Sequence, residues 1–482
     1  MITPLAFTKN SPSRPWPRRC ASVALAVAAL LSATVVLSAK DPLQTVELGS
    51  RRELFVDHFL IEKMNGVALR LHEPRLAPPS REPADNLEYG TVIKDGDVFR
   101  LYTREGRGAK FDGDSREVTR YCESRDGIHW TRPKLGLHEL DGSWENNVIL
   151  HEKSVCHNFS PFLDTRPGVP REERFKALAG TILRNPGGGL IAFASGDGIH
   201  WRKLTEKPVL TKGAFDSQNV SFWSESEGKY VAYLRTFTAG VSTATEWRLD
   251  GLRSVSRSTS EDFLNWSEPK PLNPNFTGEH IYTTLTHPYF RAPHIYVALP
   301  TRFHPERGSS TDILFMTARG DVPYDRTFRE AFIRPGLDPA RWGNRSNYAA
   351  LNVVPTGPEE MSIYTTPFRR FTLRMDGFAS MHAGADAGEV LTKVLTFSGS
   401  ELSLNFSTSA GGSVKLEIQE PDGKPLSGYA LGDHVPMVGD AIERTVVWKD
   451  GRDLSGLAGK PVRLRFVLQE ADIFALQFQP RR

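Results

Sequence analysis

The chain has 482 residues, of which 39 % are hydrophobic and 24 % are charged, and its formal net charge is only +3. A charge this close to zero argues against a nucleic-acid partner, which would require a strongly basic surface. The length is sufficient for a large core and for two domains.

The first 39 residues have the pattern of an export signal. A basic start that ends at Arg19 precedes an uncharged, mostly apolar run over residues 21–37, and the small residues Ser38 and Ala39 follow it. This order predicts a secretory signal over residues 1–39, and the run is short for a membrane span. Without the four basic residues of the signal, 56 basic residues face 57 acidic ones, a net charge of −1. We therefore expect a secreted or periplasmic protein with no membrane span after removal of the signal.

A seven-residue motif recurs through the middle of the chain. Residues 124–130 (SRDGIHW) return as residues 195–201 (SGDGIHW) and, more weakly, as residues 260–266 (SEDFLNW). Asp and Gly favour a tight turn, so the motif predicts a β-hairpin whose tryptophan is buried between neighbouring sheets. Because the aspartates Asp126 and Asp197 recur once per unit, we interpret them as structural rather than catalytic.

Five strand–turn–strand openings precede or follow these hairpins at roughly equal intervals. They begin near residues 88, 158, 216, 282 and 347, and long helical periodicity is nearly absent after residue 60. Units of this size with several short strands favour propeller blades over a sandwich. The sequence therefore predicts an all-β protein whose residues 45–384 form a five-bladed β-propeller.

The pattern changes after about residue 385. Six strand candidates between residues 390 and 478 are separated by turns such as Pro421-Asp422-Gly423. They predict a jelly-roll-like β-sandwich domain over residues 385–482, which either buttresses the propeller or binds carbohydrate. Cys122 and Cys156, which follow the signal, are expected either to pair or to remain buried thiols.

The five-unit layout, the hairpins and the tail resemble the five-bladed propeller glycoside hydrolases, which include families 32, 43, 62 and 68. The chain also resembles a group of secreted bacterial proteins with a propeller and a β-sandwich, through residues 55–57, 342–347 and 360–364. In the enzymes, carboxylates at the starts of the innermost strands converge in a funnel on the propeller axis. Hydrolysis of a glycosidic bond there requires one carboxylic acid and one carboxylate.

The resemblance implies candidate catalytic residues at the matching strand starts. Blade one offers Glu88 and blade three offers Asp216, either of which would serve as base or nucleophile, and blade four offers Glu279 as the acid. Blades two and five offer amides at these places: Asn158, Asn344 and Asn347. The expected function is hydrolysis of an extracellular poly- or oligosaccharide.

Arginines recur at a second strand end, and they indicate that the substrate is acidic if they line the funnel. These arginines are Arg104, Arg235 and Arg302, and Arg345 at the opening of blade five is considered with them. Asn158, Tyr282 and Trp342 complete the expected substrate-binding residues. No cofactor is expected, although the resemblance allows a structural calcium ion. The alternatives are a sialidase-like enzyme and a non-catalytic carbohydrate-binding propeller, and the oligomeric state stays open.

Overall fold

A computed structural model describes residues 45–79, 87–181, 188–242, 246–343 and 345–481 of the chain. The predicted signal over residues 1–39 and the candidate Asn344 lie outside these residues. The described residues contain no α-helix, which confirms the all-β prediction. Their helical segments are three single 3-10 turns: Arg171–Glu173, Pro339–Arg341 and Ser455–Leu457. None of them has the length and apolar character needed to cross a membrane.

Five successive units of antiparallel strands make up the middle of the chain. The first sheet contains Thr91–Asp95, Val98–Glu105, Val118–Ser124, Trp130–Thr131 and Val148–Leu150. The second contains Ser160–Leu163, Phe175–Ala179, Ile191–Ser195 and Arg202–Lys203. The third contains Val220–Ser224, Lys229–Ser242, Trp247–Ser260 and Lys270–Pro271.

The fourth unit consists of two three-stranded sheets. One contains His287–Tyr289, Ala292–Ala298 and Met316–Ala318, and the other contains His280–Ile281, Thr301–His304 and Ser310–Ile313. The fifth sheet contains Val354–Pro355, Glu360–Thr365, Arg369–Arg374 and, from far earlier in the chain, Arg75–Leu76.

The first strands of the units contact one another in succession, and the ring closes between the fifth unit and the first. Strand Ser160–Leu163 contacts both Thr91–Asp95 and Val220–Ser224, and Val220–Ser224 contacts His287–Tyr289. The backbone N–H of Val353 donates to His287 Nε2 at 3.1 Å. Leu351 forms a parallel bridge with Thr91, which joins the last unit to the first. The arrangement is therefore propeller-like, with the first strands around a common axis.

The recurring motif forms the predicted turns. In the second copy, Asp197 Oδ1 accepts the backbone N–H groups of Ile199 and His200 at 2.9 and 2.8 Å. The side chain of Ser195 donates to the same oxygen at 3.0 Å. Asp126 and Asp262 make equivalent bonds in the other two copies. All three aspartates organise turns, as the sequence predicts.

Aromatic side chains join neighbouring units at these turns. Trp130 of the first unit packs against Tyr364 of the fifth, with ring centroids 5.8 Å apart. Trp201 of the second unit packs against Tyr102 of the first at 6.3 Å. The hydroxyl of Tyr102 also donates to the carbonyl of Gly198 at 2.9 Å. Each such contact buries apolar surface between blades, which is the role predicted for the tryptophans.

Strands that precede and strands that follow the five units form a separate, eight-stranded sheet. It contains Arg52–Leu54, Ile61–Asn65, Ala68–Leu71, Ala379–Ala383, Gly388–Thr392, Glu401–Gln419, Asp440–Thr445 and Arg463–Gln479. Val46–Gly49 pairs separately, in parallel, with Leu395–Phe397. Val46–Gly49, Arg52–Leu54 and Ile61–Asn65 thus pair with strands that follow residue 385, although the sequence predicts residues 45–384 as propeller. The domain division at residue 385 stays a prediction. The jelly-roll sandwich stays a prediction.

Buried ion pairs join the two regions. Arg319 of the fourth unit donates to Asp57 and Glu53 at 2.8 and 2.9 Å. Burial alone would raise the pKa of Glu53, but hydrogen bonding to His294 and the charge of Arg319 lower it to about 2. The segment 55–57, which carries part of the family resemblance, therefore has a packing role here.

Cys122 and Cys156 are separate buried thiols. Asn147 Nδ2 donates to Cys122 Sγ at 3.5 Å, and Cys156 Sγ donates to the carbonyl of Leu150 at 3.4 Å. Burial raises the pKa of both thiols to about 11. The sequence left open whether these cysteines form a disulfide or stay as buried thiols, and in the structure they are buried thiols.

Candidate functional site

Three buried tyrosines meet at the end of the ring where the first strands begin, and we call them the tyrosine cluster. Tyr89 leads into the first unit, Tyr282 into the fourth and Tyr348 into the fifth. The ring of Tyr348 stands edge-on to those of Tyr89 and Tyr282, with centroids 5.9 and 5.8 Å apart. The hydroxyl of Tyr348 is buried and has no hydrogen-bond partner among the described residues. The cluster therefore lies at the end of the propeller-like ring where the first strands begin, and we call this end the mouth.

Three arginines surround Tyr282. The guanidinium carbons of Arg235 and Arg253 lie 5.1 Å from the centre of its ring. Arg345 Nη1 donates to its hydroxyl at 3.2 Å. Burial would raise the pKa of Tyr282, but the positive charges of Arg235, Arg345 and Arg253 outweigh burial and lower it. This part of the mouth is therefore electropositive.

Two of the predicted carboxylates lie beside the same cluster. The side chain of Asp216 pairs with Arg235, and the Asp216 backbone carbonyl accepts the hydroxyl of Tyr89 at 3.5 Å. Glu88 Oε2 lies 3.6 Å from Arg104 Nη1. Both carboxylates remain about 30 % exposed, at 31 % for Glu88 and 28 % for Asp216. The structure thus brings Glu88 and Asp216 to one mouth, each in contact with an arginine.

A buried network positions Arg104. Its Nη2 donates to Glu117 Oε1 at 2.7 Å, and the same oxygen contacts His157 Nδ1 at 3.0 Å. Burial would raise the pKa of Glu117, but the hydrogen bond and charge of His157, together with Arg104, lower it. Glu117 therefore fixes the guanidinium that faces Glu88. The sequence offered no signal for Glu117. It directly precedes Val118–Ser124, the third strand of the first sheet, and not the first strand, where the candidate carboxylates were sought.

The predicted acid Glu279 is not placed in contact with these groups. Both of its carboxylate oxygens accept from Arg326, at 2.9 and 3.0 Å, and the backbone N–H of Phe276 donates to one of them. The paired side chains are only 8 % and 9 % exposed. A carboxylate held in this two-pronged pair stabilises its loop. The catalytic role of Glu279 stays a prediction.

Three predicted substrate-binding residues bond to other partners. Asn158 is fully buried and uses its amide to join the second and third units, through the carbonyls of Phe215 and Ser217 and the N–H of Gly180. Arg302 forms a two-pronged pair with Asp312 at 2.9 and 2.6 Å. Trp342 is 58 % exposed and donates from its indole to the carbonyl of Gly336. Arg104, Arg235 and Arg345, by contrast, contact Glu88, Asp216 and Tyr282 respectively, and their role in substrate binding stays a prediction.

A cavity of about 370 Å³ opens beside the tyrosine cluster, and we call it the arginine cavity. Its charged and aromatic lining residues are Glu88, Asp338, Arg341, Arg345, Tyr348 and Arg369. The sequence analysis missed three of these residues. Asp338 and Arg341 lie in an irregular loop, and Arg369 begins Arg369–Arg374, the third strand of the fifth unit. Arg253 was missed for a similar reason, since it lies within the long strand Trp247–Ser260.

The opposite ends of the first strands enclose a different cavity. It measures about 290 Å³ and is lined mainly by apolar residues, among them Phe162, Phe222, Leu351 and Val354. The candidate carboxylates Glu88 and Asp216 and the arginines that contact them lie at the strand starts instead. We therefore place the candidate site at the mouth above the tyrosine cluster.

The mouth has no visible metal site. Across the part of the chain that the structure describes, no group of three His, Cys, Asp or Glu side chains is placed to hold a metal ion.

No family model and no curated protein matches the chain. Among solved structures it is similar to a glycoside hydrolase at 14 % identity and a TM-score of 0.43, over 63 % of this chain and 91 % of that one. A family-43 arabinoxylan arabinofuranohydrolase from Bacillus subtilis is 13 % identical with a TM-score of 0.39, over 82 % and 96 % of the two chains.

A family-32 β-fructofuranosidase from Bombyx mori is 11 % identical with a TM-score of 0.39, over 86 % of this chain and 95 % of that one. Families 43 and 32 are two of the four that the sequence resembles. These similarities assign no reaction or substrate to this chain.

Proposed function

We propose that the protein hydrolyses a glycosidic bond in an acidic poly- or oligosaccharide at the mouth above the tyrosine cluster. The observation that carries this proposal is that Glu88 lines the same cavity as Arg341, Arg345 and Arg369. A partly exposed carboxylate can activate water or attack the anomeric carbon, while guanidinium groups hold an anionic substituent of the sugar. Asp216, across the cluster, is the second carboxylate within the mouth.

We further propose that the protein acts outside the cytoplasm, because residues 1–39 combine a basic start, an apolar run and small residues. We also propose that the eight-stranded sheet packs as a jelly-roll-like sandwich. Neither proposal requires a cofactor.

The test is a screen of the purified protein on neutral, uronic and sulfated oligosaccharides, with release of reducing ends as the readout. Glu88→Gln is expected to lower kcat roughly 100- to 10,000-fold, the usual contribution of a carboxylate in general acid–base catalysis. Asp97→Asn is the matched control, because Asp97 is exposed at the opposite end of the same unit. Hydrolysis that survives in both Glu88→Gln and Asp216→Asn would remove these residues from the reaction. Binding without any release of reducing ends would favour a non-catalytic carbohydrate-binding propeller.

A second candidate is a sialidase-like reaction, which the surroundings of Tyr282 favour. Sialidases use a tyrosine as the nucleophile, and three arginines lower the pKa of this phenol. Tyr282→Phe would then abolish cleavage of a sialoside. Under the first proposal Tyr282→Phe keeps the carboxylate chemistry and Glu88→Gln does not, so the two variants separate the reactions.

A further inference from the structure

Arg341 is a buried arginine with incomplete pairing. It ends the 3-10 turn Pro339–Arg341 and is 4 % exposed. Its Nε donates to Asn347 Oδ1 at 2.8 Å, whereas its buried Nη2 has no hydrogen-bond partner among the described residues. The side chain lines the arginine cavity. Arg341 therefore combines an unused donor and a positive charge in a buried side chain that lines the cavity.

The nearest acid is already occupied. Asp338 Oδ2 accepts from Arg369 Nη2 at 2.5 Å, and Asp338 Oδ1 accepts from the backbone N–H of Ala340 at 3.0 Å. No ion pair links Arg341 to any carboxylate in the described part of the chain. A buried charge without a counter-ion is unfavourable. Burial and the nearby charge of Arg369 lower the pKa of Arg341 to about 10, although the charge of Asp338 opposes this, and Arg341 stays protonated at neutral pH.

We propose that Arg341, with Arg345 and Arg369, binds the oxyanion of an acidic sugar, either a carboxylate or a sulfate. The planar guanidinium presents paired N–H groups that match such an anion, and the anion supplies the missing negative charge. Glu88 lines the same cavity and repels an anion, so the anionic group lies on the Arg341 side. The sugar is thereby oriented with its remaining face toward Glu88. That the ligand is a sugar rests on the proposed function. That Arg341 binds an anion rests on its burial and missing partner alone.

The test measures binding by calorimetry and by the thermal midpoint Tm, with three probes: D-galacturonate, D-galactose and inorganic sulfate. Galacturonate and galactose differ only in the carboxylate at C6. The informative variant is Arg341→Gln, because the Gln amide nitrogen occupies the position of Arg Nε and can keep the bond to Asn347. Arg481→Gln, at a side chain that is 73 % exposed, removes the same charge away from the cavity.

We expect galacturonate, and not galactose, to bind the wild-type protein and to raise its Tm. In Arg341→Gln the affinity for galacturonate should fall roughly 10- to 100-fold, as expected for lost hydrogen bonds to a charged group. Arg481→Gln should behave as wild type. A stronger response to sulfate than to galacturonate would support the site and identify sulfate as its anion.

Equal binding of galactose and galacturonate would overturn the proposal, as would full binding of galacturonate by Arg341→Gln or no binding of either anion by the wild type. Glu88→Gln separates this test from that of the proposed function. It should slow hydrolysis roughly 100- to 10,000-fold and leave the binding of the anion intact or slightly tighter, since a negative charge has been removed from the cavity. If the wild-type protein hydrolyses its substrate but binds neither galacturonate nor sulfate, only the assignment of Arg341 as an anion-binding residue is wrong.

Discussion

The contact between Tyr102 and Gly198 allows a quantitative test of how neighbouring units hold together. Gly198 has a φ of 75°, and a Cβ at this position would lie 2.6 Å from the hydroxyl oxygen of Tyr102. In Gly198→Ala, the left-handed backbone costs about 1–2 kcal/mol, and the overpacking costs about 1–3 kcal/mol. Displacing the buried hydroxyl from its carbonyl partner adds about 1–3 kcal/mol. We therefore expect a total loss of roughly 3–8 kcal/mol in the free energy of unfolding.

Gly136→Ala is the matched control. Gly136 has a φ of 66°, but no atom lies within 4 Å of its Cβ position, so only the backbone contribution of about 1–2 kcal/mol applies. Urea unfolding at constant m-value compares the two variants. Tyr102→Phe removes the obstructing hydroxyl, so Gly198→Ala in that background should cost little more than Gly136→Ala. Equal losses for the two glycines in the wild-type background, or strict additivity with Tyr102→Phe, would refute the predicted contact.

Two further predictions concern acidic side chains. Burial opposes ionisation of Asp197, but its bonds from His200 and Ile199 lower its pKa well below the ordinary value. The stabilisation from Asp197 is therefore complete above the unfolded pKa of about 3.9 and lost as the pH falls through the folded pKa. Asp197→Asn should reduce the fall of the urea unfolding midpoint between about pH 5 and pH 2. A midpoint that falls with pH as steeply as in the wild type would contradict this. Glu279→Gln should destabilise the fold by about 3 kcal/mol, because it leaves Arg326 buried without its charge partner; kcat per folded molecule should stay at the wild-type value, and a selective loss of kcat would return Glu279 to catalysis.

The hairpins could be predicted from the sequence because their chemistry is local. Asp197 bonds to backbone groups only two and three residues away, so the motif contains its own partners. The contact of Trp130 with Tyr364 spans more than 200 residues, yet the need to bury a large ring between sheets indicated its general place. The sequence did not predict that Arg52–Leu54 pairs with Arg463–Gln479, because a local pattern does not show which distant strand pairs with a given strand.

The same distinction applies to the site. Glu88 and Asp216 were found from their positions before first strands, which the repeat defines. Glu279 occupies a similar position, and the sequence gives no sign that Arg326, 47 residues later, occupies both of its carboxylate oxygens. Arg341 was missed because the conformation of its loop depends on Asn347, whose amide bonds the carbonyls of Arg341 and Thr311. Such a set of contacts has no periodic signature in the sequence.

Arg253 and Arg341, which form no ion pair among the described residues, oppose folding as long as they lack a counter-ion. Burial, and then the charge of Arg235, lower the pKa of Arg253, just as burial and Arg369 lower that of Arg341. Rigid elements hold both against this repulsion: Arg253 by its place in a long paired strand, and Arg341 by Asn347. Charges kept in such positions are better explained by a ligand than by stability. An anion that neutralises them should therefore stabilise the fold as well as bind, and the effect should weaken at high ionic strength wherever the mouth is open to solvent.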